Sequence, residues 1–121
     1  MRLPWKQGRN GTTIVDEPQF LYLTTIGRRT NQPRTIEIWF VSYNGNYYLV
    51  AENRERAHWV QNILHNPIIT LRIGDRTAPE LSGVGRSIDP AHEPELANEV
   101  ARRMDVKYNW SDGLIVELKP H

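Results

Sequence analysis

The sequence has 121 residues, 39% of them hydrophobic and 24% charged, and a formal net charge of +1 at pH 7. This length and balance predict one folded domain over residues 1–121, and the small charge does not by itself favour a nucleic-acid partner. The absence of cysteine excludes disulfides and thiolate chemistry, and without a signal-peptide pattern or a long apolar run we expect a cytoplasmic protein.

The first half of the chain predicts an irregular arm followed by three strands. Residues 1–19 are rich in Gly, Arg, Thr and Pro and predict a short N-terminal arm anchored by Trp5. Runs of apolar, aromatic and β-branched residues predict strands over residues 20–26, 35–41 and 47–51. Asn44-Gly45 lies between the last two runs and is a strong signal for a tight hairpin turn.

The second half predicts two helices and three further strands. Apolar residues at helical spacing predict a helix over 53–64, with Asn53 as its N-cap. Strands follow over 68–73 and near 80–88, and Asp89-Pro90 predicts the start of a second helix that ends near Tyr108. A last strand covers 114–118. Hairpins with two short helices indicate a mainly β fold, an antiparallel barrel decorated by helices.

The most concentrated chemical signal is a basic loop between the first two predicted strands. It contains Arg28, Arg29 and Arg34 and no acid. Guanidinium groups and loop amides can bind a phosphate or a carboxylate, although a solvated basic loop agrees equally well with the composition alone. Arg54 and Arg56 fall at a strand-to-helix junction, where a helix N-terminus also favours anions.

Other reactive side chains give weaker signals. Trp59 and Asn62 share one face of the first predicted helix, where Trp59 is most simply a core anchor. The four histidines lack the spacing of a metal site, so we predict no metal. The serines lack the tight turn of a nucleophile, which disfavours a hydrolase.

An ordered set of short segments resembles a known family. The segments are Leu23 to Arg29, Gln32 to Arg34, Tyr48 to Ala51, Trp59 with Asn62, and Asn66-Pro67. They are similar to the deazaflavin-dependent nitroreductase and quinone reductase family, a branch of the split β-barrel superfamily that also includes pyridoxamine phosphate oxidases. The similarity runs from about residue 20 to residue 73 and resumes over residues 115–120.

This resemblance implies an antiparallel split β-barrel with two or three short helices and a reduced deazaflavin, coenzyme F-420, in a groove of the barrel. The implied reaction is hydride transfer to an electron-poor acceptor such as a quinone or a nitro compound, with the protein supplying orientation and exclusion of water. A homodimer is the expectation of the superfamily. FMN in place of the deazaflavin, a non-catalytic flavin- or haem-binding barrel, and a nucleic-acid-binding barrel are the alternatives.

The resemblance and the charge pattern together give a candidate cofactor site. We expect the loop 28–34 to lie beside the junction 50–56, with Tyr108 as the counterpart of a tyrosine-rich substrate wall. Glu52-Asn53 stands where the family pattern has a Ser-Lys-like pair, so that Arg54 or Arg56 must offset the acid. The candidate cofactor-binding residues are Arg28, Arg29, Thr30, Gln32, Pro33, Arg34, Val50, Ala51, Asn53, Arg54, Trp59 and Asn62.

Overall fold

The computed structural model describes residues 17–121, so Trp5 and most of the predicted N-terminal arm lie outside the described residues. The described chain forms seven strands and two helices. In chain order they are β1 (Phe20–Ile26), β2 (Pro33–Trp39), β3 (Val41–Tyr43), β4 (Asn46–Ala51), a 3-10 turn (Arg54–Arg56), α1 (His58–His65), β5 (Ile68–Ile73), β6 (Leu81–Ser87), α2 (Pro94–Tyr108) and β7 (Leu114–Pro120).

The strands form one antiparallel sheet in the order β2-β1-β5-β6-β7-β4-β3. The two strands at its edges, β2 and β3, follow each other in the chain with Phe40 alone between them. One residue cannot span an open seven-stranded sheet, so the sheet must curl until its edges meet. The result is the predicted split barrel, open along the seam between β2 and β4.

Two apolar cores lie on opposite faces of this curled sheet. Inward-facing residues of the strands, such as Leu23 and Leu71, pack inside the barrel with Val60 and Ile63 of α1. The outer face of β3, β4 and β7 is covered by α2, through residues that include Val100 and Met104. Helix α1 packs against β1 and β6, and its first turn follows the 3-10 turn that leaves the end of β4.

The hairpin at Asn44-Gly45 is confirmed, but the strand predicted over 35–41 is divided. Asn44 and Gly45 have φ values of 52° and 81°, which are the left-handed conformations that a two-residue hairpin requires. Strand β2 ends at Trp39 because it pairs with β1 at one edge of the sheet, whereas β3 pairs with β4 at the other. The buried Phe40 makes the change of direction between them.

Both helices begin later than the sequence predicts. Asn53 does not cap α1, because Arg54 has a left-handed φ of 52° and interrupts the helix. The helix proper starts at His58, five residues further on. Asp89 accepts a hydrogen bond from the Ala91 amide at 2.9 Å and forms a local turn instead of a helix cap. The second helix consequently begins at Pro94 and ends, as predicted, at Tyr108.

Candidate functional site

The basic loop between β1 and β2 is held in a compact shape by its own backbone. The Gly27 amide donates to the Gln32 carbonyl at 2.8 Å, and the Asn31 amide donates to the Gly27 carbonyl at 2.8 Å. Asn31 has a φ of 60°, and a Cβ at Gly27 would lie 2.8 Å from the Thr30 hydroxyl oxygen. A glycine is therefore required for this close approach, and the loop presents its arginines from a fixed backbone.

Arg28 is anchored to the first helix through a buried amide. Asn62 Oδ1 accepts hydrogen bonds from the Arg28 backbone amide at 3.2 Å and from its Nη1 at 3.0 Å. Asn62 Nδ2 donates to Thr25 Oγ1 at 3.1 Å, and the two residues are only 4% and 1% exposed. Arg28 Nη2 also lies 3.2 Å from His58 Nδ1. Asn62 thus ties loop, strand and helix together and orients the Arg28 guanidinium.

These elements surround a cavity of about 770 Å³, here called the basic groove. Four arginines line it, Arg28, Arg29, Arg34 and Arg56, and none of the described lining residues is an acid. The predicted loop and junction therefore lie side by side. Converging guanidinium groups without a nearby carboxylate favour a ligand with several negative charges. The remaining polar lining includes Thr30, Asn53, His58 and Asn62.

The 3-10 turn directs its two arginines to different places. Arg54 Nη2 bonds Asp112 Oδ1 at 3.1 Å, across an exposed surface, and Arg54 lines neither of the two grooves described here. Arg56, two residues later, lines the basic groove. The left-handed conformation of Arg54 reverses the chain at this point. The structure therefore places Arg56, and not Arg54, among the residues that line the basic groove.

A second cavity of about 550 Å³, here called the aromatic groove, adjoins the first. Its walls include Phe20, Trp39, Trp59 and Trp110, with Val50 and Ala51 at the end of β4. Asn53, Ala57 and Trp59 line both grooves and form their common border. An apolar, aromatic compartment of this kind suits a planar ring system.

The aromatic wall is supported by Tyr108 from behind. Its ring stacks on Trp39 with centroids 4.4 Å apart, and Trp110 meets Trp39 edge-on at 6.4 Å. The Tyr108 hydroxyl accepts from the Phe40 amide at 3.0 Å and donates to the carbonyl of Gln19 or Phe40, at 2.7 and 2.8 Å. Burial raises the pKa of Tyr108 to about 12. Tyr108 lines neither groove and stacks on Trp39, so the structure places it behind the aromatic wall.

The structure therefore brings most of the predicted site residues together. Nine of the predicted residues line one or both grooves: Arg28, Arg29, Thr30, Arg34, Val50, Ala51, Asn53, Trp59 and Asn62. Four line neither groove: Gln32, Pro33, Arg54 and Tyr108. The candidate residues did not include Arg56 and His58, which also line the basic groove, although Arg56 carried the same charge signal as Arg54. Trp39 and Trp110 were missed because they are distant in sequence and meet only in the folded chain.

The site offers binding and orientation rather than a reactive side chain. Among residues 17–121 no group of three or more His, Asp or Glu is arranged to hold a metal ion. Within the same residues no helix is long and apolar enough to cross a bilayer. The chemical character of the grooves is a polyanion site continuous with a flat aromatic site, which fits a cofactor with a ring at one end and an acidic tail at the other.

The fold places the chain among the split β-barrels. It superposes on the haem storage protein HutZ of Vibrio cholerae with a TM-score of 0.69 and 18% identity, covering 87% of this chain and 83% of that one. It superposes on an F420-H2-dependent reductase with a TM-score of 0.57 and 20% identity, covering 89% of this chain and 100% of that one. At these identities the likeness establishes the fold.

Sequence comparison establishes the family. Residues 3–112 match the family model described as F420H(2)-dependent quinone reductase. An F420H(2)-dependent quinone reductase of Mycobacterium tuberculosis is 30% identical in an alignment of 94 residues that covers 74% of this chain and 60% of that protein. The chain thus spans about 60% of the length of the curated relatives that it matches. The chain belongs to the F420H(2)-dependent quinone reductase family, which confirms the resemblance found in its sequence.

Proposed function

We propose that this protein is an oxidoreductase that binds the reduced deazaflavin coenzyme F-420 and transfers a hydride to a quinone or another electron-poor acceptor. The observation that carries the proposal is the continuity of the two grooves at Asn53, Ala57 and Trp59. Family membership names a cofactor with the shape and charge that such a pair of grooves would accept.

The basic groove is assigned to the phosphate and the acidic tail of the cofactor. Arg28, Arg29, Arg34 and Arg56 supply the positive charge, and Asn62 with His58 keeps the Arg28 guanidinium oriented before the ligand arrives. Such preorganisation reduces the entropy that binding would otherwise cost. A hydrogen bond to a charged group contributes about 1.5 to 3 kcal/mol, so two well-placed arginines supply about 3 to 6 kcal/mol of the roughly 8 kcal/mol that micromolar affinity requires.

The aromatic groove is assigned to the ring of the cofactor and to the acceptor. When bound, the deazaflavin supplies the hydride, and the acceptor takes that hydride with a proton from solvent to give the hydroquinone. Trp39, Trp59 and Trp110 offer flat apolar surface against which planar groups can be aligned, and they exclude water from the reacting atoms. The protein needs no acid or base of unusual pKa for this task.

Two alternatives remain in the same superfamily. FMN carries one phosphate, and a groove with four arginines has more positive charge than that phosphate requires. A haem-binding role would need an axial ligand, and the described lining of the aromatic groove contains no histidine or methionine. The deazaflavin therefore agrees best with both grooves.

The proposal is tested by titrating coenzyme F-420, FMN and FAD in parallel into the protein, with protein fluorescence as the signal. Arg34→Ala is compared with Arg54→Ala, a matched variant outside both grooves. We expect the tightest binding for F-420 and a loss of affinity in Arg34→Ala alone. Tighter binding of FMN, or equal losses in the two variants, would contradict the proposed cofactor or its place.

A homodimeric state, a cytoplasmic location and a single domain over the whole chain stay predictions. The first two would be checked by the mass of the protein in solution and by fractionation of cells that express it. A dimer would not alter the assignment of the grooves, because one chain supplies all the residues named for each.

A further inference from the structure

The two grooves carry charges of opposite sign. Apart from His58, the ionisable residues that line the basic groove are all arginines, whereas those that line the aromatic groove are the acids Glu37 and Glu52. This contrast concerns the described part of the chain, residues 17–121. A single cofactor does not require acids at its ring end, so the carboxylates call for an explanation in terms of the acceptor.

The backbone fixes Glu52 at the edge of the aromatic groove. Glu52 follows Ala51, the last residue of β4, which is paired with Leu114 of β7. A Cβ at Gly113 would collide with the Ala51 carbonyl, so the start of β7 lies directly against this strand end. The position of the Glu52 backbone is therefore set by the sheet rather than by a free loop, and its exposed side chain begins where β4 leaves the barrel.

Glu37 contributes less to the groove than Glu52. Glu37 Oε1 accepts a hydrogen bond of 2.8 Å from the hydroxyl of Tyr22. Tyr22 lies between the buried residues Leu21 and Leu23 of β1, so its side chain is on the outer face of the sheet. Part of the Glu37 charge is thus directed away from the aromatic groove. Glu52 is the residue with the larger expected effect on a molecule entering there.

The arginines do not cancel this effect when the cofactor is present. They lie beyond the border formed by Asn53, Ala57 and Trp59, and an anionic tail bound among them neutralises much of their field. The acceptor then meets an aromatic wall beside Glu52, which forms no ion pair within residues 17–121 because Arg54 is paired with Asp112 and Arg56 lines the basic groove. An anionic acceptor is repelled, and a neutral one is not.

We propose that Glu52 makes the aromatic groove selective for uncharged planar acceptors and against anionic ones. This inference rests on the proposed function and adds to it the class of acceptor. The carboxylate acts as a specificity determinant and takes no part in hydride transfer.

The test compares an ortho-naphthoquinone with the same quinone carrying a ring sulfonate, each as acceptor for reduced F-420. The selectivity is the ratio of the two kcat/KM values, and comparing this ratio between variants cancels the intrinsic reactivity of each quinone. We expect Glu52→Gln to raise the relative use of the sulfonate about three- to tenfold, and Glu52→Lys to raise it further. Glu55→Gln, in the following 3-10 turn and outside both grooves, should leave the ratio unchanged.

A binding measurement without turnover tests the selectivity by Glu52 separately from the proposed F-420-dependent activity. With oxidised F-420 bound, the dissociation constant of the sulfonated quinone, read from tryptophan quenching, should be lower in Glu52→Gln than in the wild type. Added salt should lower this constant in the wild type by screening the repulsion from Glu52, and should lower it less in Glu52→Gln. This inference alone would be overturned if both variants bind F-420 and reduce the neutral quinone, yet keep the wild-type selectivity ratio and dissociation constants. The two variants are Glu52→Gln and Glu52→Lys. Failure of F-420 to bind the wild type would overturn the proposed function instead.

Discussion

Replacing Asn62 with alanine should reduce the stability of the fold and disturb the basic groove to which the cofactor tail is assigned. The side chain accepts two hydrogen bonds from Arg28 and donates one to Thr25, all between 3.0 and 3.2 Å. One of the three involves a charged group, worth about 1.5 to 3 kcal/mol, and the others contribute about 0.5 to 1.5 kcal/mol each. Because Arg28 is partly solvated and Thr25 is buried, we expect a loss of about 3 kcal/mol in the free energy of unfolding.

The assay is a thermal melt combined with an F-420 titration below the melting temperature of the variant. For a chain of this length the expected loss corresponds to a fall of roughly 10 °C in Tm. The folded variant should also bind F-420 several-fold more weakly, because the Arg28 guanidinium loses its anchor. Gln61→Ala, one position earlier, removes one exposed bond to the Glu55 carbonyl and serves as the control. A Tm for Asn62→Ala within about 2 °C of the wild type would refute this reasoning.

Four further outcomes are expected. Arg34→Ala should weaken F-420 binding about ten- to hundredfold with its Tm preserved, as measured by titration and melting; unchanged affinity would exclude a contact with the cofactor. Tyr108→Phe should cost about 1 to 2 kcal/mol in chemical denaturation and leave the KM for the acceptor unchanged, whereas an altered KM with full stability would restore its role in the substrate wall. Arg86→Ala should lower the free energy of unfolding by about 3 kcal/mol in the same assay. The reason is that Glu117, which is 6% exposed, loses its hydrogen bonds of 2.9 and 3.3 Å to the guanidinium; a loss below about 1 kcal/mol would contradict this. Arg102 and Arg103 lower the pKa of Glu99 to about 2 from 4.5 through hydrogen bonds to its carboxylate. The stabilisation from these bonds is therefore present above about pH 4.5 and is lost as the pH falls towards 2. The Tm difference between wild type and Glu99→Gln should shrink over that range, and a constant difference would argue against the pairing.

Local signals in the sequence were sufficient for most of the fold. Strand runs and turn residues predicted six strands of the barrel, and Asn44-Gly45 identified its hairpin correctly because that turn depends on two residues alone. The division of the strand at Phe40 was not predictable in this way. It results from the two sides of Phe40 pairing with opposite edges of the sheet, which is a property of the closed barrel and leaves no local pattern.

The candidate site shows the same division between local and tertiary information. The charge of the loop 28–34 is visible in the sequence, and the structure places it on one groove. The choice between Arg54 and Arg56 depended on one left-handed residue and on Asp112, which is 58 positions away from Arg54. Similarly, Trp39 and Trp110 belong to one wall only because β2 and the segment before β7 meet in the fold.

The most direct test of the central claim is a crystal structure of the protein with coenzyme F-420 bound. We expect the acidic tail to lie among four arginines and the ring to lie in the aromatic groove between three tryptophans. The arginines are Arg28, Arg29, Arg34 and Arg56, and the tryptophans are Trp39, Trp59 and Trp110. A tail outside the basic groove, or a ring bound on another face of the barrel, would contradict it.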